Sequence, residues 1–296
     1  MSILRSWLFI PGDSERKLDK ADGAGADALI LDLEDSVAPD NKPRARELVT
    51  AFLRARPRAG RASQLWVRIN PLDSGLALAD LAAVVVASPD GVMLPKADGP
   101  DEVRRLSHYL DALEAQQGLE PGSIRIVPVA TETAIAPFRL GEYASAGLSR
   151  LMGLTWGAED LAAALGASTN LAADGQWAHA YQLARSLTLL AARATGVQAI
   201  DTLYVNFRDE PGLRASSRAS RAEGFTGRLA IHPAQVAAIN ECYRPSREEI
   251  EHAKRVVAAF DAAPGAGTVG LDGRMIDIPH LKQARAVLEQ AKAIGA

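Results

Sequence analysis

The chain has 296 residues, of which 48% are hydrophobic, with a mean hydropathy of −0.03 and a net charge of −3. This composition is too apolar for a disordered chain and too polar for a membrane protein, and the charge indicates no nucleic-acid partner. An anionic substrate would therefore be held by a few placed cations or by a metal. Cys242 is the single cysteine, which excludes an intrachain disulfide, and we expect it to be a buried structural residue.

No apolar stretch reaches the roughly 18 residues that a membrane-spanning helix needs. The short apolar run within residues 1–11 lacks the length and the flanks of a signal peptide. We therefore predict a cytoplasmic protein without a membrane partner.

Short apolar runs alternate with amphipathic stretches along most of the chain. Eight of these runs predict strands, at residues 6–11, 28–34, 65–70, 91–96, 124–131, 150–155, 202–207 and 228–232. The stretches between and after them predict helices at 15–24, 42–56, 76–86, 101–117, 136–146, 176–195, 213–222 and 234–242. The helical period is clearest at 176–195, where one stripe contains Ala180, Leu183, Leu187, Leu190 and Ala194.

Eight consecutive strand–helix units predict an α/β fold in which a parallel sheet closes into a (β/α)₈ barrel, the TIM barrel. An open, doubly wound sheet is the alternative fold. It is disfavoured because no GxGxxG motif follows the first predicted strand.

The pattern changes after the eighth unit. Ser246 predicts the start of a further helix, a flexible connection follows at 263–267, and a hairpin is predicted at 268–275 around Asp272-Gly273. A last helix begins near Pro279. We therefore divide the chain into a catalytic barrel domain, 1–243, and a C-terminal helical and hairpin extension, 244–296, which is a candidate lid or oligomer contact.

Polar side chains lie at the carboxyl ends of the predicted strands, where active sites of such barrels are found. Alternation along strands two and three directs Asp32, Glu34 and Arg68 into the barrel. The later strands are followed by Lys96, Glu132, Asp160, Asn206 and His232. Of these, Lys96 and His232 are further candidates for ligand contact, although a lone histidine at a strand end is more often structural.

Several inward carboxylates without a cysteine or histidine cluster favour a hard cation, Mg²⁺ or Mn²⁺, over Zn²⁺. Glu132 and Asp160 follow adjacent strands, and with substrate oxygens and water they would complete an octahedral shell. Beside them, Gly157 and Ala158 could present backbone N–H groups to a substrate carboxylate at a helix N-terminus. The alternatives are that the acids cap helices or pair with basic residues, and that 153–160 is an ordinary strand-to-helix turn.

These residues lie in stretches that resemble the citrate lyase β-subunit-like family of the HpcH/HpaI aldolase superfamily, which includes malyl-CoA and citramalyl-CoA lyases. The stretches are RSWLFIPGDSER (5–16), DALILDLEDSVAP (27–39), VRIN (67–70), GVMLPK (91–96), TETA (131–134), WGAEDL (156–161), AIHPAQ (230–235) and DGRMIDIP (272–279). They span nearly the whole chain in the family order.

The resemblance implies that Glu132 and Asp160 bind Mg²⁺, with Mn²⁺ as a possible substitute, and that Arg68 binds the substrate. It implies that Glu34 and Asp35 hold metal-bound water and Arg68. It also implies that Asp277 is an acid/base delivered by a neighbouring subunit of a homo-oligomer, a trimer or hexamer. Composition and spacing alone would assign Asp277 only to a helix N-terminus.

The reaction implied by the resemblance is a retro-Claisen cleavage, or its reverse, of a 3-hydroxyacyl thioester into an acyl thioester and a keto acid. Coenzyme A would be part of the substrate. Its phosphates could contact Arg16, Lys17 and Lys20, which could equally form a solvated helix face.

Three alternatives remain open at this point. The first is a citrate lyase β subunit that acts on a citryl-acyl-carrier protein. The second is a class II pyruvate aldolase, but those enzymes use a histidine soon after strand two, and here no histidine precedes His108. The third is a non-catalytic binding barrel, which would be expected to have lost Arg68, Glu132 or Asp160.

Overall fold

Eight parallel strands and their helices form a barrel in the computed structural model, which describes residues 3–293 and 295. The strands are β1 (Ser6–Pro11), β2 (Ala28–Asp32), β3 (Gln64–Arg68), β4 (Gly91–Leu94), β5 (Arg125–Pro128), β6 (Gly153–Thr155), β7 (Gln198–Asp201) and β8 (Gly227–Ala230). Their order is β5-β4-β3-β2-β1-β8-β7-β6. Single parallel bridges, Ile126 with Leu151 and Val129 with Thr155, join β5 to the β6 region. The predicted TIM barrel is confirmed.

The barrel helices follow the strands in the expected order. They are α1 (Glu15–Leu18), α2 (Lys42–Arg54), α3 (Ala77–Val84), α4 (Pro100–Gln117), α5 (Ala136–Arg139), α6 (Ala158–Leu165), α7 (His179–Thr195), α8 (Glu210–Glu223) and α9 (Val236–Cys242). Among the described residues, no helix combines the length and the apolar character that crossing a membrane requires. Cys242, at the end of α9, is buried as expected.

Large side chains from alternate strand positions fill the barrel interior. Trp7 and Trp66 meet there with ring centroids 5.0 Å apart. Gly91 makes room for this pair, because a β-carbon at Gly91 would lie 2.1 Å from the Trp66 ring. Ile30 belongs to the same interior cluster, so Asp32, two residues later, also points inward. The predicted orientation of strand two is therefore confirmed.

The prediction for the seventh strand is wrong. The strand is Gln198–Asp201, and Asn206 lies in the exposed segment before α8. Asp201 ends this strand as a buried carboxylate, which is costly unless its charge is balanced. Its charge is balanced inside the barrel wall by Arg228 at 2.8 Å and Arg185 at 3.3 Å.

Two further helix predictions need correction. The 136–146 helix is α5 followed by a 3₁₀ segment, Leu140–Ser145, and α6 is a separate helix that the sequence pattern did not delimit. In α7, the leucine stripe faces outward, with Leu183 59% and Leu190 65% exposed. The buried stripe contains Tyr181, Ala184, Thr188 and Ala191.

A second compact unit takes in the chain from Asn240 onward, and so includes the last residues of α9. It contains α10 (Arg247–Asp261), the hairpin strands β9 (Thr268–Leu271) and β10 (Arg274–Asp277), and α11 (Ile278–Ala293). Ser246 caps α10 in a reciprocal pair with Glu249, as predicted for a helix start. Asp272 and Gly273 both have positive φ, at 50° and 74°, which is the conformation that a tight hairpin turn requires.

Candidate active site

The carboxyl ends of the barrel strands surround a cavity of about 560 Å³. Charged side chains line its floor, including Asp32 from β2, Arg68 from β3, Glu132 after β5 and Asp160 from α6. Apolar walls come from Phe9, Val129, Trp156, Leu203 and Leu229. The structure thus brings the barrel's predicted site residues to one place.

Arg68 is held rigidly at the cavity floor. Its Nε and Nη2 each donate a 2.7 Å hydrogen bond to Asp32, and its Nη1 lies 2.9 Å from Glu34. Phe9 covers the guanidinium, with 4.8 Å to the ring centroid. Burial alone would lower the pKa of Arg68, but the hydrogen bonds and charge of Asp32 raise it above its usual value. Arg68 is therefore a fixed, permanently charged donor.

Asp32, which the sequence directs into the barrel without assigning it a role, completes this arrangement. It also accepts the backbone N–H of Glu34 at 2.9 Å and that of Ser36 at 3.3 Å. Burial opposes its ionisation, but the contacts with Arg68 lower the pKa of Asp32 below its usual range. The inward alternation of β2 was the available signal for this role.

Lys96 lies at the centre of the acidic residues, although the sequence marked it only as a further candidate. Its Nζ contacts Glu34, Asp35 at 3.0 Å and Asp160 at 3.2 Å. Its backbone N–H donates to Glu132 Oε2 at 2.6 Å. These contacts join residues from the ends of four different strands.

 Glu132 is buried at the cavity floor, with 6% of its surface exposed. Burial, and then the charge of Asp160, raise the pKa of Glu132 to about 8. Gly157 packs against it so closely that a β-carbon there would lie 2.8 Å from Glu132 Cγ. A buried carboxylate next to a second one is the arrangement that a bound cation would stabilise.

The donor set fits Mg²⁺. Glu132 and Asp160 supply only carboxylate oxygens, and Mg²⁺ in proteins is commonly held by one or two carboxylates together with water and substrate oxygens. Within residues 3–293 and 295, no group of three or more His, Cys, Asp or Glu side chains is arranged to hold a metal. Two carboxylates would leave most of an octahedral shell to water and substrate oxygens.

Gly157 and Ala158 lie at the start of α6, beside Glu132. The Gly157 N–H donates to Thr131 Oγ1 at 3.1 Å, so this donor is already used within the protein. Ala158 begins α6, where the first N–H groups have no partner within the helix. Because Gly157 has no side chain, Glu132 can approach the N-terminus of α6 closely.

Basic and aromatic residues line the outer part of the cavity. Arg16, Lys17 and Lys20 come from α1 and the turn after it, and His232 comes from the β8 end. The His232 ring stacks on Phe207 with centroids 4.6 Å apart and an interplanar angle of 20°. This arrangement can receive a ligand that carries both phosphates and a flat ring.

Asp277 belongs to the second unit, at the end of β10. Its carboxylate is 44% exposed and lies 2.5 Å from His280 Nδ1. The hydrogen bond with His280 lowers the pKa of Asp277 below its usual range. The expected role of Asp277 in a neighbouring subunit stays a prediction.

Two family descriptions match the chain. HpcH/HpaI aldolase/citrate lyase matches residues 5–233, and C–C bond lyase of the TIM-barrel fold matches residues 177–296. The chain belongs to the HpcH/HpaI aldolase/citrate lyase family. The predicted family is thus confirmed, together with the expectation that the protein is a carbon–carbon lyase.

Named relatives extend over nearly the whole chain. A (3S)-malyl-CoA thioesterase of Cereibacter sphaeroides is 37% identical over 99% of this chain and 96% of its own length. The mitochondrial citramalyl-CoA lyase of Mus musculus is 35% identical over 98% of this chain and 86% of its own. The crystal structure of CitE from Mycobacterium tuberculosis, in complex with magnesium, acetoacetate and coenzyme A, is 34% identical with a TM-score of 0.78, and the match covers 98% of both chains.

Proposed function

We propose that this family member is a Mg²⁺-dependent lyase that cleaves a short 3-hydroxyacyl-CoA, such as malyl-CoA or citramalyl-CoA, into an acyl-CoA and a keto acid, or catalyses the reverse. The observation that carries the proposal is the pair of Glu132 and Asp160 beside Arg68 in one cavity. The names of the relatives support a CoA thioester as substrate.

Glu132 and Asp160 are the proposed protein ligands of Mg²⁺. The bound ion would polarise the hydroxyl and carboxylate oxygens of the acid portion and make the hydroxyl easier to deprotonate. The elevated pKa of Glu132 supports this assignment, because a bound cation would favour the charged form of this buried carboxylate. Asp32, by contrast, already has a cationic partner in Arg68, at 2.7 Å.

Arg68 is the proposed electrostatic catalyst. During cleavage the hydroxyl would give its proton to water, its oxygen would form the carbonyl of the keto acid, and the breaking carbon–carbon bond would leave its electron pair on the thioester as an enolate. Negative charge then develops on oxygen, and the guanidinium of Arg68, already oriented by Asp32 and Glu34, stabilises it without reorganising. Asp277 of a second copy in a homo-oligomer is proposed to donate the proton that the α-carbon takes up.

The basic outer part of the cavity is proposed to bind coenzyme A. Arg16, Lys17 and Lys20 would neutralise its phosphates, and the adenine would approach the stacked rings of His232 and Phe207. The predicted cytoplasmic location is compatible with such a substrate and stays a prediction.

A direct assay tests the proposal. The purified protein is mixed with Mg²⁺ and, separately, with malyl-, methylmalyl-, citramalyl- and citryl-CoA, and the products are identified by mass spectrometry. Acyl-CoA and a keto acid in equal amounts are expected from at least one thioester. Absence of cleavage in the whole panel, in a protein shown to bind Mg²⁺, would contradict the proposal.

Thioester hydrolysis is the second candidate function, because one relative is named a (3S)-malyl-CoA thioesterase. The two reactions differ in their products. A lyase converts malyl-CoA into acetyl-CoA and glyoxylate, whereas a thioesterase releases malate and free CoA. The same mass-spectrometric assay therefore distinguishes them.

A further inference from the structure

The ammonium group of Lys96 contacts three carboxylates at the cavity floor, where a simple ion pair would have one. Its ammonium group lies against Glu34, at 3.0 Å from Asp35 and at 3.2 Å from Asp160. Its backbone N–H adds a 2.6 Å hydrogen bond to Glu132. One residue thus connects both proposed metal ligands to Glu34 and Asp35.

The cavity floor carries more negative than positive groups, which explains why a lysine is needed there. Five carboxylates and two cations meet at the cavity floor, namely Asp32, Glu34, Asp35, Glu132 and Asp160 with Arg68 and Lys96. Asp32 occupies the Nε–Nη2 edge of the Arg68 guanidinium, and Nη1 lies 2.9 Å from Glu34. In metal-free protein, Lys96 is therefore the cation that offsets the repulsion among the remaining acids.

The backbone at Lys96 supports a dedicated role. Its φ is 52°, in the left-handed region that glycine adopts without strain and a lysine does not. Such strain persists where surrounding contacts hold it in place, and here they are the contacts to four carboxylates. A lysine at a position that suits glycine indicates that the ammonium group itself is required.

We propose that Lys96 is a built-in counter-cation of this site, which keeps Glu34, Asp35 and Asp160 assembled in metal-free protein and releases Asp160 when a divalent ion binds. Asp160 is the partner to be released because its contact with Nζ, at 3.2 Å, is the longest of the three. Lys96 then stays on Glu34 and Asp35 as a positioning residue. The release step rests on the proposed function, whereas the assembly of the metal-free site does not.

The test compares Lys96→Met with a matched control, Lys254→Met. Lys254 also pairs with a carboxylate, Glu251 at 2.8 Å, but lies exposed on α10. Melting temperatures are measured in chelator and in saturating Mg²⁺, and the Mg²⁺ affinity is measured by calorimetry without substrate.

In chelator, Lys96→Met is expected to lower the melting temperature by about 4 °C or more, and Mg²⁺ is expected to remove most of this loss. The variant should bind Mg²⁺ roughly tenfold more tightly than the wild type, because a like charge beside the ion is gone. Its turnover should nevertheless fall, since Glu34 and Asp35 lose the ammonium group that holds them together. Lys254→Met should change none of these values.

An equal loss of melting temperature with and without Mg²⁺, or weaker Mg²⁺ binding by Lys96→Met, would overturn the proposal and leave Lys96 a structural residue. If Lys96→Met does not fold in chelator, recovery of folded Lys96→Gln only in Mg²⁺ supports the proposal, and failure in both conditions overturns it. A wild type that binds no Mg²⁺ would contradict the proposed function, while the melting temperatures in chelator still test the assembly role.

A second pair of variants tests the backbone strain. Lys96→Gly and Lys96→Ala both remove the ammonium group, but only glycine adopts the left-handed conformation freely. The glycine variant should therefore melt at the higher temperature. An alanine variant that is at least as stable would show that the conformation at this position is not strained.

Discussion

Glu132 and Asp277 are two carboxylates in regions of opposite character. Glu132 lies buried at the barrel floor, where burial and Asp160 raise its pKa to about 8. Asp277 lies half exposed on a hairpin of the second unit, where His280 lowers its pKa. A buried acid of this kind is suited to hold a cation, whereas Asp277, with its lowered pKa, is in the charged form that can take up a proton. The two regions therefore divide the proposed work, and substitutions should affect them differently.

The largest effect is expected from Asp160→Asn, which removes one of the two proposed metal ligands. Activity should fall by about 10³-fold or more, because the charge stabilisation that a catalytic metal supplies is worth several kcal/mol. Mg²⁺ binding, measured by calorimetry, should weaken while circular dichroism shows an intact fold. Near-normal turnover with unchanged Mg²⁺ dependence would remove Asp160 from the metal site.

Asp277→Asn should reduce activity by about 10³-fold through loss of acid–base catalysis, yet leave Mg²⁺ binding intact. Exchange of the thioester methyl protons with D₂O, followed by NMR, should be suppressed. A variant that loses Mg²⁺ affinity as well would show that the two regions do not act separately.

Mixing the two inactive variants sharpens the comparison. If Asp277 acts in a neighbouring copy, a mixed oligomer of Asp277→Asn and Asp160→Asn chains contains some sites with both groups intact. Activity should then return to a fraction of the wild-type value once subunit exchange has been demonstrated by mass spectrometry. Exchange without any return of activity would restrict Asp277 to its own chain or exclude it from the reaction.

Arg68→Lys tests whether the barrel region supplies only charge. Lysine keeps the positive charge but loses the planar fork that Asp32 and Glu34 orient, so kcat should fall by about 10²-fold. Steady-state kinetics at saturating Mg²⁺ provides the measurement. Equal rates for the lysine variant would mean that geometry at Arg68 is unimportant.

The pH dependence of folding stability tests the raised pKa of Glu132 without any substrate. Because its pKa is raised, Glu132 keeps its proton up to a higher pH in the folded, metal-free protein than in the unfolded chain, where it has an ordinary glutamate pKa. The stabilisation is thus complete below about pH 4.5 and is lost as pH rises through about 8. The melting temperature in chelator should fall over this window, and Glu132→Gln should flatten the fall. A wild-type curve that does not fall there would contradict the shifted pKa.

Sequence patterns predicted the barrel well because each strand and helix carries its own period. They also predicted which strand ends meet, since the ends of parallel strands share one face of the barrel. The prediction of the seventh strand failed because the strand ends in buried Asp201, whose partners Arg185 and Arg228 come from two other elements. Lys96 was undervalued for a similar reason, because its importance depends on three acids that are distant in sequence and on a backbone angle that no pattern reveals.

The smallest effect is expected at His280, which forms an exposed pair with Asp277. His280→Ala should lower the rate only about three- to fivefold, because the contact is exposed and Asp277 keeps its carboxylate without it. Without His280 the pKa of Asp277 rises towards its usual value. In the condensation direction Asp277 must be ionised to take a proton, so the acidic limb of the pH–rate profile should move to higher pH. His252→Ala, on exposed α10, serves as the control and should leave the limb in place. An unmoved limb in His280→Ala would mean that His280 only caps α11, and that the second unit delivers Asp277 without tuning it.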